Sequence, residues 1–224
     1  SSSANNIVLV ESGKQYKVLT LTDCFEYDEK TYNYYGSYSF TGTKIEQAVV
    51  TAILNVTTDD KVVVDMIKGN NEQDSSSLKT LLENNAYQVN EVSLATGDFD
   101  SNAKIAIMYA PSVDLDEKIV EKLSTWLSND GKYGRSLIYV PTADMGEMPN
   151  LDDFLKEWGM SIDRGYVFET DESTLVSASS PYAFTVSYGD YYKDNLKNSK
   201  IPVVVSESHA VNITDENTAH ALLK

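Results

Sequence analysis

The side chains best placed for chemistry in this 224-residue sequence are those of the polar turn Gly69-Asn70-Asn71-Glu72. The turn follows an apolar, β-branched run and precedes a helical pattern, so free N–H groups at the helix start could receive an anion. Asn71 and Glu72 could contact a ligand or partner there. Alternatively, Asn and Gly simply form the turn and Glu72 caps the helix. Asp144, after a later strand, could face the same crevice. Paired with Glu72 it would make an acid–base couple able to hydrolyse a polysaccharide or peptide. Asn70, Pro111 and Thr142 complete the expected crevice. A second candidate surface is aromatic: Tyr32, Tyr34, Tyr35 and Tyr38 fall close together and could stack on a sugar or line a partner interface; such a cluster more often packs on its own sheet.

Other chemistries lack their residues. The chain holds one cysteine and two histidines, which excludes an intrachain disulfide and a Cys-based metal site. His209 and His220 stand 11 apart, a spacing that fits no zinc-binding helix. Cys24 lies in the N-terminal segment, away from any strand-to-helix turn, and reads better as a buried or idle thiol than as a nucleophile. There is no glycine-rich phosphate loop, dinucleotide fingerprint or nucleophile elbow. No cofactor is expected. With 34 acidic against 18 basic residues, the net charge of −16 disfavours nucleic acid and anionic membrane surfaces, because both need clustered Lys and Arg. No apolar run reaches the roughly 18 residues that span a bilayer. Asn55-Val56-Thr57 and Asn212-Ile213-Thr214 match the glycosylation sequon.

These residues must be positioned by a strand–helix alternation between Lys61 and Gly159. Lys61–Ile67, Tyr87–Val92, Lys104–Tyr109 and Leu137–Val140 read as strands, the first an apolar run of the kind covered on both faces. A helix begins after Ser75-Ser76-Ser77, with Leu78, Leu81 and Leu82 on one side. Asp114 is expected to cap a second, with Glu117 as its box partner; Leu115, Ile119, Val120, Leu123, Trp126 and Leu127 form its face, and Gly131 stops it. Asn150 should cap a third helix, closed by Gly159. Upstream, Thr43 and Glu46 propose a capping box for a helix with Ile45, Ala48, Val49, Ala52, Ile53 and Val56 as its stripe. Alternating strands and helices imply a parallel sheet whose ligands sit beyond the strands' carboxyl ends.

The flanks are less regular. Ile7–Val10 and Tyr16–Leu19 suggest a hairpin, Phe25–Phe40 an irregular or edge segment, and Tyr166–Phe168 and Pro202–Val205 strands; residues 188–195 suggest a turn of helix. The expected organisation is an N-terminal segment over 1–42, an α/β core over 43–171, and a C-terminal extension of the same domain over 172–224. The sequence starts without Met and breaks off within a pattern, as an excised piece of a longer protein would.

Several blocks together resemble the GldG-type auxiliary components of ABC transporters, a family tied to gliding-motility-like systems. They are Glu46-Gln47-Ala48-Val49 with Ala52–Thr57, Gly69–Glu72 with Leu78–Val89, Ala110–Glu117, Trp126–Gly131, and Met148–Leu151 with Leu155–Met160. The resemblance runs from Thr43 to Asp171. It departs at Asn70, where the family often has His, and at Asp130, which replaces a Gly.

The resemblance implies a non-catalytic, extracytoplasmic domain tethered by membrane segments beyond this sequence, on the outer face of a bacterial membrane. It would work beside an ABC permease and ATPase and recognise a partner protein, glycan or exported substrate. The implied fold is a mainly parallel sheet flanked by helices, flavodoxin-like or class I glutamine-amidotransferase-like, without the catalytic Cys and His and with N- and C-terminal β additions. A structural spacer is a third reading, favoured if the crevice is filled by side chains.

Overall fold

A computed structural model of the chain describes residues 7–142, 144–177, 179–190 and 201–223. The expected lead-in over 1–6 and positions 191–195 of the expected helical turn lie outside these. The architecture is mixed α/β: one four-stranded parallel sheet with helices, and several smaller antiparallel sheets.

The N-terminal hairpin pairs β1 (Val8–Ser12) with β2 (Gln15–Leu19). Ser12 opposes Gln15 across a two-residue loop in which Gly13 takes a φ of +60°. That value favours glycine, and this loop length suits the twist of a hairpin. A short helix α1 (Leu21–Cys24) leads into β3 (Phe25–Tyr27), α2 (Glu29–Tyr35) and β4 (Phe40–Thr43), with β3 antiparallel to β4.

Helix α2 corrects the expectation of an irregular Phe25–Phe40. Its start and stop are both local. Asp28 caps it, accepting from Lys30 N at 3.0 Å and Thr31 Oγ1 at 2.6 Å, and Gly36 ends it at φ +68°. Two turns are too few for apolar periodicity to show, so the caps define the element.

Helix α3 (Ile45–Thr57) packs on the hairpin. Lys44 stands at its N-cap, and Thr43 Oγ1 only reaches Ile45 N at 3.5 Å, so no Thr43–Glu46 box forms. Leu19, Cys24 and Ala52 make a buried cluster beneath Ala48 and Val49, whereas Ile45 and Ile53 of the expected stripe stay exposed. Cys24 is thus a buried packing residue.

The central elements follow the expected alternation: β5 (Val63–Ile67), α4 (Ser76–Asn84), β6 (Gln88–Val92), β7 (Ala103–Tyr109), α5 (Glu117–Ser128), β8 (Ser136–Val140) and α6 (Pro149–Glu157). The parallel sheet has the order β6-β5-β7-β8. Every residue of β5 is buried, including Asp65, whose carboxylate accepts from Asn90 Nδ2 at 3.0 Å and Asp100 N at 2.7 Å. A buried carboxylate is tolerated here because backbone and amide donors satisfy it.

Helix α5 buries Ile119, Leu123, Trp126 and Leu127, and it ends at Asn129 in the left-handed conformation, φ +47°, two residues before Gly131. Asparagine tolerates that region, so the glycine is not needed for the stop.

Strands β9 (Met160–Tyr166), β10 (Leu175–Ser177), β11 (Ser180–Val186), β12 (Val203–Ser206) and β13 (His209–Ile213) complete the chain. β13 pairs antiparallel with β9, and β10-β11-β12 form a separate antiparallel sheet.

By contact density the chain divides into two compact units. One comprises 1–65, 74–90 and 100–105, and the other 66–73, 91–99 and 106–224. No helix among the described residues is long and apolar enough to cross a membrane.

Candidate functional site

The turn after β5 was the leading candidate, and its polar groups are bonded inward. Gly69 and Asn71 take φ values of +118° and +54°, which turn the chain back on itself. Glu72 then reaches its own turn: Oε2 accepts from Gly69 N at 3.0 Å and Oε1 from Asn70 N at 2.9 Å. It does not cap the following helix. The N–H of Ser76 at that helix start faces Asp74 Oδ1 at 3.1 Å, so an acidic side chain of the chain itself already stands where an anion was expected.

Asn70 is buried at 5% exposure; its amide donates to Asp114 O at 2.9 Å, and its carbonyl accepts from Ser112 N and Val113 N, both at 3.1 Å. Asn71 Nδ2 donates to Ser112 Oγ, which in turn donates to Asn71 O at 2.9 Å. Gln73 N donates to Ala110 O at 3.2 Å and its side chain to Thr142 Oγ1 at 3.0 Å. Thr142 and Pro111 are buried. The structure therefore brings Asn70, Asn71, Pro111 and Thr142 together as a plug that joins the turns after β5 and β7, held by the hydrogen bonds of Asn70, Asn71 and Gln73. Buried polar groups need partners; Asn70 and Thr142 are buried and have them, while Asn71, Gln73 and Ser112 are exposed.

Asp114 corrects a second expectation. Helix α5 is capped by Asp116, whose Oδ1 accepts from Lys118 N at 2.9 Å. Asp114 serves α6 instead: Oδ2 accepts from Asn150 N at 2.9 Å and Oδ1 from Leu151 N at 3.1 Å, with Leu115 N also bonded at 2.9 Å. Asn150, expected to cap α6, lies within its first turn and donates to Leu115 O at 2.7 Å. A carboxylate on the first N–H groups of a helix is favoured by both hydrogen bonding and the dipole.

Asp144 accepts from Tyr166 Oη at 3.4 Å, while Glu72 holds the backbone of its own turn. The two carboxylates of the supposed dyad thus serve different partners. Burial first, and then the Asp144 carboxylate, raise the Tyr166 phenol above its ordinary range.

His209, missed as a site residue, stacks on Tyr166 with ring centroids 5.5 Å apart. Its Nε2 lies 2.9 Å from Thr142 O and its Nδ1 3.1 Å from Gly165 O. Neutral imidazole can donate to one of these carbonyls; imidazolium donates to both. Only the β9–β13 pairing brings His209 there, and no local pattern signals it. The sequon asparagines are likewise engaged. Asn55 is buried and bonded to Thr51 O and Asn84 O, and Asn212 donates to Asp163.

The tyrosine surface is the opposite case. Tyr34 and Tyr35 are 81% and 72% exposed, and Tyr32, Tyr38 and Phe40, near them in sequence, are also open to solvent. Tyr32 and Tyr38 stack at 4.5 Å and 13°, and Tyr38 and Phe40 at 5.9 Å and 11°. Tyr34 and Tyr35 meet edge to face at 4.7 Å and 71°.

A separate apolar groove of about 570 Å³ lies along β8, lined by Ile138, Tyr139, Leu155, Trp158, Ile162 and Val211 among others. Burial pushes the Tyr139 phenol up to about 12, and Tyr139 donates to Met145 Sδ at 3.2 Å. Among the described residues no group of three or more His, Cys, Asp or Glu converges to hold a metal.

No family model and no curated protein matches the chain. It is similar to a solved structure described as the mmIFT52 N-terminal domain, with a TM-score of 0.55 and 14% identity over 72% of each chain. At that identity the likeness concerns the fold alone.

Proposed function

We propose that this chain is a non-catalytic binding domain of an ABC-type transport system, held at the extracytoplasmic face of a bacterial membrane beside the permease and ATPase. It recognises a partner protein, glycan or exported substrate. The system and its location rest on the GldG-type resemblance of residues 43–171. The recognition face rests on one observation, the exposure of Tyr34 and Tyr35, whose rings meet each other and are otherwise largely in water. Exposed contiguous aromatic surface marks interaction sites, and tyrosine is enriched where binding energy concentrates.

The finer fold reading belongs here too. Numbered within the sheet, the strand order is 2-1-3-4, which is the order opening a flavodoxin-like sheet. That order supports the flavodoxin-like or class I glutamine-amidotransferase-like assignment. In such folds ligands favour the switch point, here between β5 and β7. The inward bonding of Asn70, Asn71 and Glu72 speaks for a structural role there and for recognition elsewhere.

The test is a photo-crosslinking amino acid at position 35 of the full-length protein in its native cells. The reading expects adducts with the permease, its associated proteins or an exported substrate. Crosslinks confined to unrelated abundant proteins would contradict it. Turnover of a polysaccharide or peptide that is abolished by Glu72→Gln would instead establish the hydrolase.

A further inference from the structure

We infer that the corner between Tyr34 and Tyr35 takes a cationic side chain, an Arg or Lys presented by a basic segment of a partner protein. This rests on the reading above that the tyrosine surface is the recognition face, and it names the chemistry recognised there. Three observations carry it.

The first is ring geometry. Tyr32, Tyr38 and Phe40 lie nearly parallel, with interplanar angles of 13° and 11°, so their faces are largely turned to one another. Tyr34 and Tyr35 stand at 71° with centroids 4.7 Å apart. Two walls at a steep angle make a corner, not a flat platform. A pyranose ring packs on a platform; a compact cation fits a corner, because it can lie within about 6 Å of both centroids and feel both ring quadrupoles.

The second is local charge. Between Thr20 and Thr43 the sequence places Asp23, Glu26, Asp28 and Glu29 against the single cation Lys30, within a chain of net charge −16. An aromatic corner within an acidic stretch of sequence, on a strongly acidic chain, complements a basic segment, which the net charge would draw in before contact.

The third is occupancy. Among the described residues the cation placed over a ring is Arg135 over Trp126, at 5.3 Å. Lys30 sits one helical turn before Tyr34 yet over neither tyrosine ring, which leaves the corner open to an incoming group.

The experiment is a fluorescence-anisotropy titration of the 224-residue chain with a labelled peptide of alternating Arg and Gly. The comparison peptide carries citrulline, a neutral isostere, at each Arg. The Arg peptide should bind and the citrulline peptide should bind at least about tenfold more weakly. Tyr34→Ala with Tyr35→Ala should weaken the Arg peptide by about fivefold to thirtyfold. Tyr34→Phe with Tyr35→Phe keeps both rings and should stay within about twofold. Circular dichroism checks that each variant folds.

Equal binding of the Arg peptide by wild type and the double alanine variant would overturn the inference, since bulk charge alone would then explain the attraction. So would tight binding of the citrulline peptide. A position-35 crosslink to a partner whose contact segment is not basic would sink the inference and leave the recognition reading standing. Binding of the Arg peptide at the rings with no native crosslink would do the reverse.

Discussion

The plug joining the turns after β5 and β7 and the tyrosine face of α2 are built from opposite materials. The first gathers Asn70, Asn71, Glu72, Ser112, Asp114 and Thr142, residue types usually suspected of chemistry, and gives each a partner within the protein, mostly backbone N–H and C=O groups. The second gathers rings, residue types usually suspected of packing, and leaves Tyr34 and Tyr35 largely in water. A polar cluster beyond the strands of a parallel sheet looks like a site until its hydrogen bonds are counted. An aromatic cluster looks like core until its exposure is measured. Internal saturation is what separates a joint in the scaffold from a surface meant for something else.

Substitutions on each side distinguish the two regions. The largest effect should come from Asp114→Ala, which strips two first-turn N–H groups of α6 and one of Leu115 of their carboxylate. A loss of about 3 kcal/mol is expected in urea unfolding. A loss below about 0.5 kcal/mol would mean that Asp114 is not structural. Glu72→Gln should follow, costing about 1–2 kcal/mol because a neutral amide oxygen can hold only part of what the carboxylate accepts from Gly69 and Asn70. Its ligand binding should be unchanged. Full stability combined with lost binding would return the crevice to the status of a site.

A third effect is pH-dependent. Thr31 Oγ1 and then Lys30 N hold the Asp28 carboxyl below its ordinary value. A folded-state value that is depressed contributes stability present above the unfolded value, about 3.9, and lost as pH falls below it. Near-ultraviolet circular dichroism of the tyrosines should therefore hold steady down to about pH 4 and change below it. Asp28→Asn should remove that step, and persistence of the step in the variant would show that another group causes it. The smallest effect on stability should be that of Tyr34→Ala with Tyr35→Ala, within about 0.5 kcal/mol by urea unfolding, as expected of exposed positions. A larger loss would move those rings into the core and end the contrast.

Much of the scaffold was legible because it is written locally. The apolar run ending at Ile67, the α5 stripe of Ile119, Leu123, Trp126 and Leu127, and the stop at Pro141 each sit within one element. The site was less legible because its partners are distant in sequence. Asp114 looks like the cap of the helix next to it, yet its oxygens go to Asn150 and Leu151, 36 and 37 residues on. His209 reaches Thr142 only through the pairing of β13 with β9. Of the strands from β10 onward, the apolar run Pro202–Val205 announces β12, whereas β10, β11 and β13 alternate weakly, and none of the antiparallel partners follows from local propensity. Helix α2 was hidden for another reason: its two turns are too short for a period to show, and Asp28 and Gly36 alone mark its ends.

On this reading recognition belongs to the open rings and not to the internally bonded turn after β5. Isothermal titration calorimetry of the partner identified by crosslinking, run against wild type, Glu72→Gln and the Tyr34→Ala/Tyr35→Ala pair, tests it most directly. Wild type and Glu72→Gln should bind with equal affinity, and the tyrosine pair should show a clear loss. Loss of affinity in Glu72→Gln with the tyrosine pair unaffected would contradict it.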